Sequence, residues 1–285
     1  MRVLVTGAGG QLGTDLVRHC EASGDEVVAV DRDGLDVSDG PAVRALVTGG
    51  GRFDVVFNAA AWTAVDACES DPERAFRVNA LACRWLAQAC RRSGAHLVHV
   101  STDYVFDGTK PEPYHEWDRP NPQSVYGASK WAGEHEIAVH AGGEATIART
   151  SWVFGEHGHN MVKTVLALRD RDELAFVDDQ RGCPTATADL AVTLRLLAAD
   201  RVPGLFHVTN DGPTTWFGFV RDVLSAAGED PAKVRPIATS DLDPPRPAPR
   251  PANSVLDGAA LRGAGIAPLR HYRDPLQQVV DALLA

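Results

Sequence analysis

Eight residues near the start of the chain, TGAGGQLG at 6–13, constrain its fold more than any other stretch. They follow a short apolar run at 2–5 and open an amphipathic stretch, so the chain begins strand, glycine loop, helix. Gly7, Gly10 and Gly13 have the spacing G-x-x-G-x-x-G. In that context the glycines permit a tight turn, a close approach of backbone to a pyrophosphate, and close packing of helix on strand. A Gly-rich loop alone is weak evidence of a dinucleotide site; the strand–loop–helix setting makes it specific.

The segments that follow repeat the pattern. Short apolar runs at 26–30, 55–58, 97–101 and 145–149 are separated by helical stretches, which predicts a parallel sheet covered on both faces. Right-handed crossovers make this an α/β doubly wound parallel sheet of the Rossmann type. The regularity then falls away. Helices are expected near 160–169, 188–199 and 216–227, and a strand at 205–209. The run PPRPAPRP at 244–251 excludes helix and central strand, leaving an extended linker or a binding loop. The expected organisation is a dinucleotide-binding domain at 1–150, to which 188–210 returns. A smaller C-terminal substrate lobe is expected at 151–187 and 211–285.

A net charge of −10 argues against nucleic acid or an anionic membrane as partner. Five cysteines without a C-x-x-C pair read as reduced thiols, and no apolar run has the length of a signal peptide or membrane span. A soluble cytoplasmic protein is expected. Monomer and homodimer are equally compatible with the sequence.

The chemistry is carried by SVYGASK at 124–130. Tyr126 and Lys130 leave the same face of a helix one turn apart. A phenol near pKa ~10 exchanges protons poorly at neutral pH, and a neighbouring ammonium is expected to lower that value. At the end of the fourth strand a hydroxyl can donate to a substrate carbonyl while Tyr126 delivers the proton. Strand alternation lets only one of Ser101 and Thr102 face the crevice, and Thr102 is preferred. Asn58, Ala59, Ala60 and Ala61 end the third strand, where small residues let a cofactor lie against the sheet. Asp31, ending the second strand, is placed to accept from adenine ribose hydroxyls, which favours NADH. Arg32 beside it suits a 2′-phosphate, which favours NADPH. Trp152 is either a core tryptophan or a sugar-stacking one. His157 and His159 lack a third ligand at metal spacing.

Together these features resemble the extended short-chain dehydrogenase/reductase superfamily and, within it, the dTDP-4-dehydrorhamnose reductase family. The resemblance runs through NAAAWTAVD at 58–66, STDYVFDG at 101–108, YGASK at 126–130, RTSWVFG at 149–155, DQRGCPT at 179–185, TTW at 214–216 and RPANS at 250–254. It implies catalytic roles for Thr102, Tyr126 and Lys130, with Lys130 also holding the nicotinamide ribose. It implies a coenzyme side lined by Gly10, Gln11, Leu12, Asp31, Asp36, Val37, Ala61, Trp62 and Thr63. Thr63, Thr102, Asp103, Tyr104 and Trp152 would hold the deoxysugar, with Arg250 from the late loop. Departures are Trp62, where some relatives carry His, and Pro249, where some carry a second Arg. No counterparts of an interface Mg²⁺ site appear near Asp189, so no metal is expected. The implied activity is NADPH- or NADH-dependent reduction of the C4 keto group of a dTDP-linked deoxysugar. A nucleotide-sugar epimerase or 4,6-dehydratase on the same scaffold is the alternative among enzymes; elimination is opposed by Tyr104, since the dehydratases need a Glu after the strand-4 Thr-Asp. A non-catalytic regulatory subunit on this scaffold is opposed by the intact Thr102, Tyr126 and Lys130.

Overall fold

The computed structural model describes residues 1–49 and 51–285. Six strands form one parallel sheet: β1 (Arg2–Thr6), β2 (Glu26–Val30), β3 (Val55–Asn58), β4 (His96–Thr102), β5 (Ala145–Thr150) and β10 (Gly204–His207). Their spatial order is β10-β5-β4-β3-β1-β2. The chain leaves β1 toward β2 and returns across it to β3, so the strand order reverses between β1 and β3. Ligands of open α/β sheets bind at the carboxyl end of such a switch point.

Two helical layers cover the sheet. α1 (Gln11–Ala22) and α8 (Thr187–Ala199) lie on one face, where Leu16, Leu190 and Leu194 meet Val3, Val5, Phe57 and Val98. On the other are α2 (Gly40–Gly49), α5 (Ala82–Ser93) and α6 (Val125–His140), with Leu86, Ala87 and Ile137 packed on Leu4, Val56 and Leu97. Alternate strand residues therefore feed opposite cores, as the two-residue period requires. Between β3 and α5 run α3 (Val65–Ser70), α4 (Pro72–Phe76) and a π-helical turn at Arg77–Leu81. A 3₁₀ turn at Asp103–Val105 follows β4.

The remaining segments build a third core at the carboxyl rim. α7 (Met161–Leu168), α9 (Trp216–Ala226) and α11 (Arg273–Leu284) pack Val162, Val165, Phe219, Val223 and Leu276 together. Short strand pairs brace them: β6 (Val153–Phe154) with β9 (Thr185–Ala186), β7 (Leu174–Val177) with β12 (Val234–Ile237), and β8 (Arg181–Gly182) with β11 (Thr214–Thr215). The helix α10 (Ala259–Gly263) lies beside β10. None of these two-stranded pieces is expected from the sequence, because runs of two to four residues carry no measurable alternation. The expected strand at 205–209 is β10, which starts one residue earlier and ends at His207.

Candidate active site

The glycine loop owes its shape to what it must avoid. Gly7 has φ +71°, and a Cβ there would lie 2.7 Å from the Ala60 nitrogen. A Cβ on Gly13 would lie 2.0 Å from the Gly7 carbonyl oxygen. The loop therefore nests against the end of β3, and α1 starts directly behind it. Gly10 is the N-cap of α1 and supplies no side-chain cap, which leaves the first backbone N–H groups of the helix aimed at the crevice. Such a terminus attracts a phosphate through unpaired donors and the helix dipole. The side-chain oxygen of Gln11 is buried there without a partner, while its Nε2 donates to the His159 carbonyl at 2.8 Å.

On one side of this loop opens a cavity of about 440 Å³, lined by Gly7, Gly9, Gly10, Asp31, Arg32, Asp33, Leu35, Asp36, Val37, Ser38, Ala59–Trp62, Arg74, Arg77 and Val78. The Asp31 Oδ1 accepts from the backbone N–H of Asp33 and Gly34 at 3.0 and 3.2 Å. Asp36 accepts from the Ser38 N–H and hydroxyl, and these bonds hold its pKa below the usual carboxylate value. Arg74 lies over the Trp62 ring, 4.4 Å from its centroid. The backbone of Trp62 is fixed in turn by Asn79, whose amide accepts from Trp62 N–H at 2.8 Å and donates to its carbonyl at 3.1 Å.

On the other side lies a cavity of about 390 Å³ that shares Gly10, Ala59 and Ala61 with the first. Its walls include Gln11, Leu12, Thr63, Thr102, Asp103, Tyr104, Tyr126, Lys130, Trp152 and Trp216. Ser124 caps α6 by accepting from the Gly127 N–H, which sets the helix phase so that Tyr126 and Lys130 face the cleft. The Ser101 hydroxyl is drawn into the core, donating to Glu134 at 2.5 Å. The Thr102 hydroxyl instead donates to Asp103 at 3.0 Å and lines the cleft with Tyr126.

One expectation is corrected. The Tyr126 pKa is raised above its ordinary value rather than lowered toward neutrality. Burial of the phenol dominates and raises it, with Thr102 opposing and Asp103 and Tyr104 adding to the rise. Lys130 is itself fully buried and its pKa is lowered by desolvation, and its ammonium donates to the Val100 carbonyl at 2.6 Å. Its charge is spent on β4 rather than on the phenol.

Asp103 is buried, with Oδ2 lacking a partner, and burial raises its pKa to about 6. Trp152 has φ +46°, a region costly for a bulky residue, and stacks on Trp216 with ring centroids 3.7 Å apart. A Cβ at Gly182 would meet the Trp152 ring at 2.5 Å, so the glycine is what lets the indole lie there. Arg250 lines neither cleft; its guanidinium is paired with Asp66 at 2.5 and 2.7 Å. Sequence reasoning missed Arg74, Arg77 and Val78 because they stand on helical turns after α3, away from any strand end. Among the described residues no cluster of three or more His, Cys, Asp or Glu is arranged to hold a metal ion. Asp189 instead pairs with Arg270 and accepts from Asn210.

Comparison with known proteins agrees with this architecture. The RmlD substrate binding domain family matches residues 1–285. A dTDP-4-dehydrorhamnose reductase of Streptomyces griseus is 45% identical over 99% of this chain and 94% of its own length. A dTDP-4-keto-6-deoxy-D-glucose reductase of Streptomyces niveus is 39% identical over 100% and 98%. Among solved structures, a dTDP-4-dehydrorhamnose reductase of Bacillus anthracis in complex with NADP superimposes with TM-score 0.94 at 35% identity, covering 99% of both chains. One from Clostridium acetobutylicum superimposes with TM-score 0.95 at 38% identity over the whole of both chains. The chain belongs to the RmlD substrate binding domain family, that of the dTDP-4-dehydrorhamnose reductases, within the extended short-chain dehydrogenase/reductase superfamily.

Proposed function

We propose that this protein reduces the C4 keto group of a dTDP-linked 4-keto-6-deoxyhexose, with dTDP-4-dehydro-L-rhamnose giving dTDP-L-rhamnose as the leading substrate–product pair. The observation that carries the reading is that two clefts flank the glycine loop: the one holding Thr102, Tyr126 and Lys130 shares Gly10, Ala59 and Ala61 with the one holding Asp31 and Arg32. The loop nest and the uncapped start of α1 suit a dinucleotide pyrophosphate, and either NADPH or NADH would lie along Gly7–Leu12, Asp31, Arg32 and Ala59–Thr63. When bound, the dinucleotide supplies the hydride.

The residues of the chain supply the rest. Tyr126 gives a proton to the oxygen as it gains charge, and Thr102 donates a hydrogen bond to the same atom. Burial keeps the phenol protonated in the resting site, which is the state a proton donor needs in the reductive direction. Lys130 fixes the ribose end of the coenzyme. Trp152 and Trp216 offer an aromatic face to the sugar ring, and Asp103, Tyr104 and Thr63 meet its hydroxyls. No nucleic acid or membrane partner enters this reading, and no helix among the described residues is long and apolar enough to cross a membrane.

The test is incubation with dTDP-4-keto-6-deoxyhexoses, with and without prior 3,5-epimerisation, following coenzyme oxidation and identifying the product by NMR. Tyr126→Phe should keep its fold and coenzyme affinity while turnover falls by about 10² or more. Coenzyme binding without turnover of any such sugar would favour a regulatory protein instead.

A further inference from the structure

Lys130 is 2% exposed and has no carboxylate among its hydrogen-bond partners. Besides the Val100 carbonyl, its ammonium meets the Nε2 of His99, 3.3 Å away. His99 is fully buried on β4, and its other ring nitrogen lies 2.9 Å from the side-chain amide of Asn58. That amide is 2.8 Å from the Thr6 hydroxyl, which also reaches the Phe57 carbonyl at 3.4 Å. Four side chains from β1, β3, β4 and α6 thus form one unbroken polar file through the core.

The sense of each bond follows from donor and acceptor inventories. An ammonium only donates, so the His99 Nε2 facing it must accept, and a neutral imidazole then carries its proton on Nδ1. The Nδ1–H needs an acceptor. As placed, the Asn58 nitrogen faces Nδ1 and the Thr6 hydroxyl donates to the Asn58 oxygen; a half-turn of the amide exchanges its O and N positions and presents the oxygen to Nδ1. The amide NH₂ then donates to the Thr6 hydroxyl, which donates to the Phe57 carbonyl. Every member is satisfied. The opposite sense sets an Nε2–H against the ammonium, two donors at 3.3 Å.

We propose that His99 is a positioning residue: a neutral Nδ1–H imidazole, locked by Asn58, that accepts from the Lys130 ammonium and holds it charged and aimed at the cleft. The inference rests on the reductase reading for its catalytic meaning, but not for its geometry. Burial and the ammonium itself hold the His99 pKa well below its usual value, so the ring stays an acceptor throughout the working range. The other groups near Lys130 do not replace it. On α5, the Cys83 thiol is pushed up to about 11 and is neutral. On α6, Glu134 is committed to Arg149 of β5. Tyr126 and, after β4, Asp103 are held toward their neutral forms by burial. A purely structural role would leave the Lys130 titration unmoved.

The chain has four lysines, so ¹³Cε-lysine NMR resolves each, with Lys130→Arg giving the assignment. In His99→Leu the Lys130 midpoint should fall by about one pH unit or more, because the charged form loses an acceptor. The high-pH limb of kcat should move down with it. His99→Gln, which restores an acceptor, should keep both near the wild-type values. A folded His99→Leu with an unmoved Lys130 midpoint overturns the proposal. A second measurement needs no variant: ¹⁵N-histidine NMR of the wild-type chain should show His99 as the neutral Nδ1–H tautomer, and an Nε2–H tautomer or an imidazolium overturns it. Neither NMR experiment uses the ketosugar, so failure of the reductase reading would appear separately, as absent turnover by a wild-type protein with the expected spectra.

Discussion

Asp66 and Arg250, 184 residues apart in sequence, meet in a two-pronged ion pair with separations of 2.5 and 2.7 Å. Asp66 stands on α3 and also accepts from the Ala248 N–H at 3.1 Å. Arg250 donates to the Ala248 carbonyl as well, at 2.6 Å. The pair therefore moors the proline-rich strap to α3, whose first residue Val65 lines the reacting cleft. The arginine lowers the Asp66 pKa, so the tie holds across neutral pH. Asp66→Asn should loosen the strap, raising KM for the dTDP-sugar about tenfold, equivalent to roughly 1.4 kcal/mol. Faster proteolytic nicking between 242 and 252 should accompany it. Arg250→Lys should not restore the tie, because an ammonium lacks the planar fork.

Coenzyme preference can be read from the adenosine end. The Asp31 Oδ1 is engaged by its own turn, whereas Arg32 and Arg77 line the same cavity. Both cations also help lower the Asp36 pKa. The double variant Arg32→Ala/Arg77→Ala should raise KM for NADPH by about tenfold and change that for NADH by less than about twofold, the difference being the lost pairing with a 2′-phosphate. Equal losses for both coenzymes would remove these residues as selectors.

Glu134 and Arg149 form a buried pair, at 2.9 and 2.7 Å, to which Ser101 also donates. Arg149 is 2% exposed and its guanidinium also lies over Phe106. Removing one partner strands a charge in the core. Arg149→Met should cost about 3–5 kcal/mol, read from urea midpoints. The double variant Glu134→Leu/Arg149→Met should recover most of that loss.

Two buried histidines make stability depend on acidity. Burial depresses the His96 pKa to about 4 and the His207 pKa to about 3. The folded state keeps both rings neutral, while the unfolded chain takes up protons near pH ~6.5. Their contribution is complete above that value and is lost as pH falls toward the folded pKa values. Asp103, raised to about 6, acts with the opposite sign over part of this window, so a single-site comparison is needed. His96→Gln should remove on the order of 2 kcal/mol from the stability difference between pH 7.5 and pH 5. An unchanged difference would show that His96 charges freely in the folded state.

Much of this was legible in the residues alone. The glycine loop, the apolar strands and the Tyr126–Lys130 spacing follow from short-range sterics and helical geometry, and sequence displays both directly. Strand alternation narrowed the crevice hydroxyl to one of Ser101 and Thr102 without choosing between them; the structure commits the Ser101 hydroxyl to Glu134. The electrostatics were not legible. That Lys130 spends its ammonium on Val100 and His99 depends on the depth of α6 against β4. That Arg250 is bound by Asp66 depends on where a strap without regular structure lands. Trp152 shows both limits: its place after β5 was readable, but its left-handed backbone and its stack on Trp216 arise from two segments far apart in the chain.

The sixth strand of the sheet, β10, pairs with β5 although α7, α8 and four short strands, β6 to β9, separate them in sequence. Its companion α8 covers the same face as α1. A fragment cut near residue 150 would therefore lose the edge strand and half of one helical layer, baring Val98, Ala148 and Phe57 to water. Attempts to transplant the coenzyme-binding half onto another scaffold, or to shuffle it with a different sugar-recognising half, should carry 187–207 along with it.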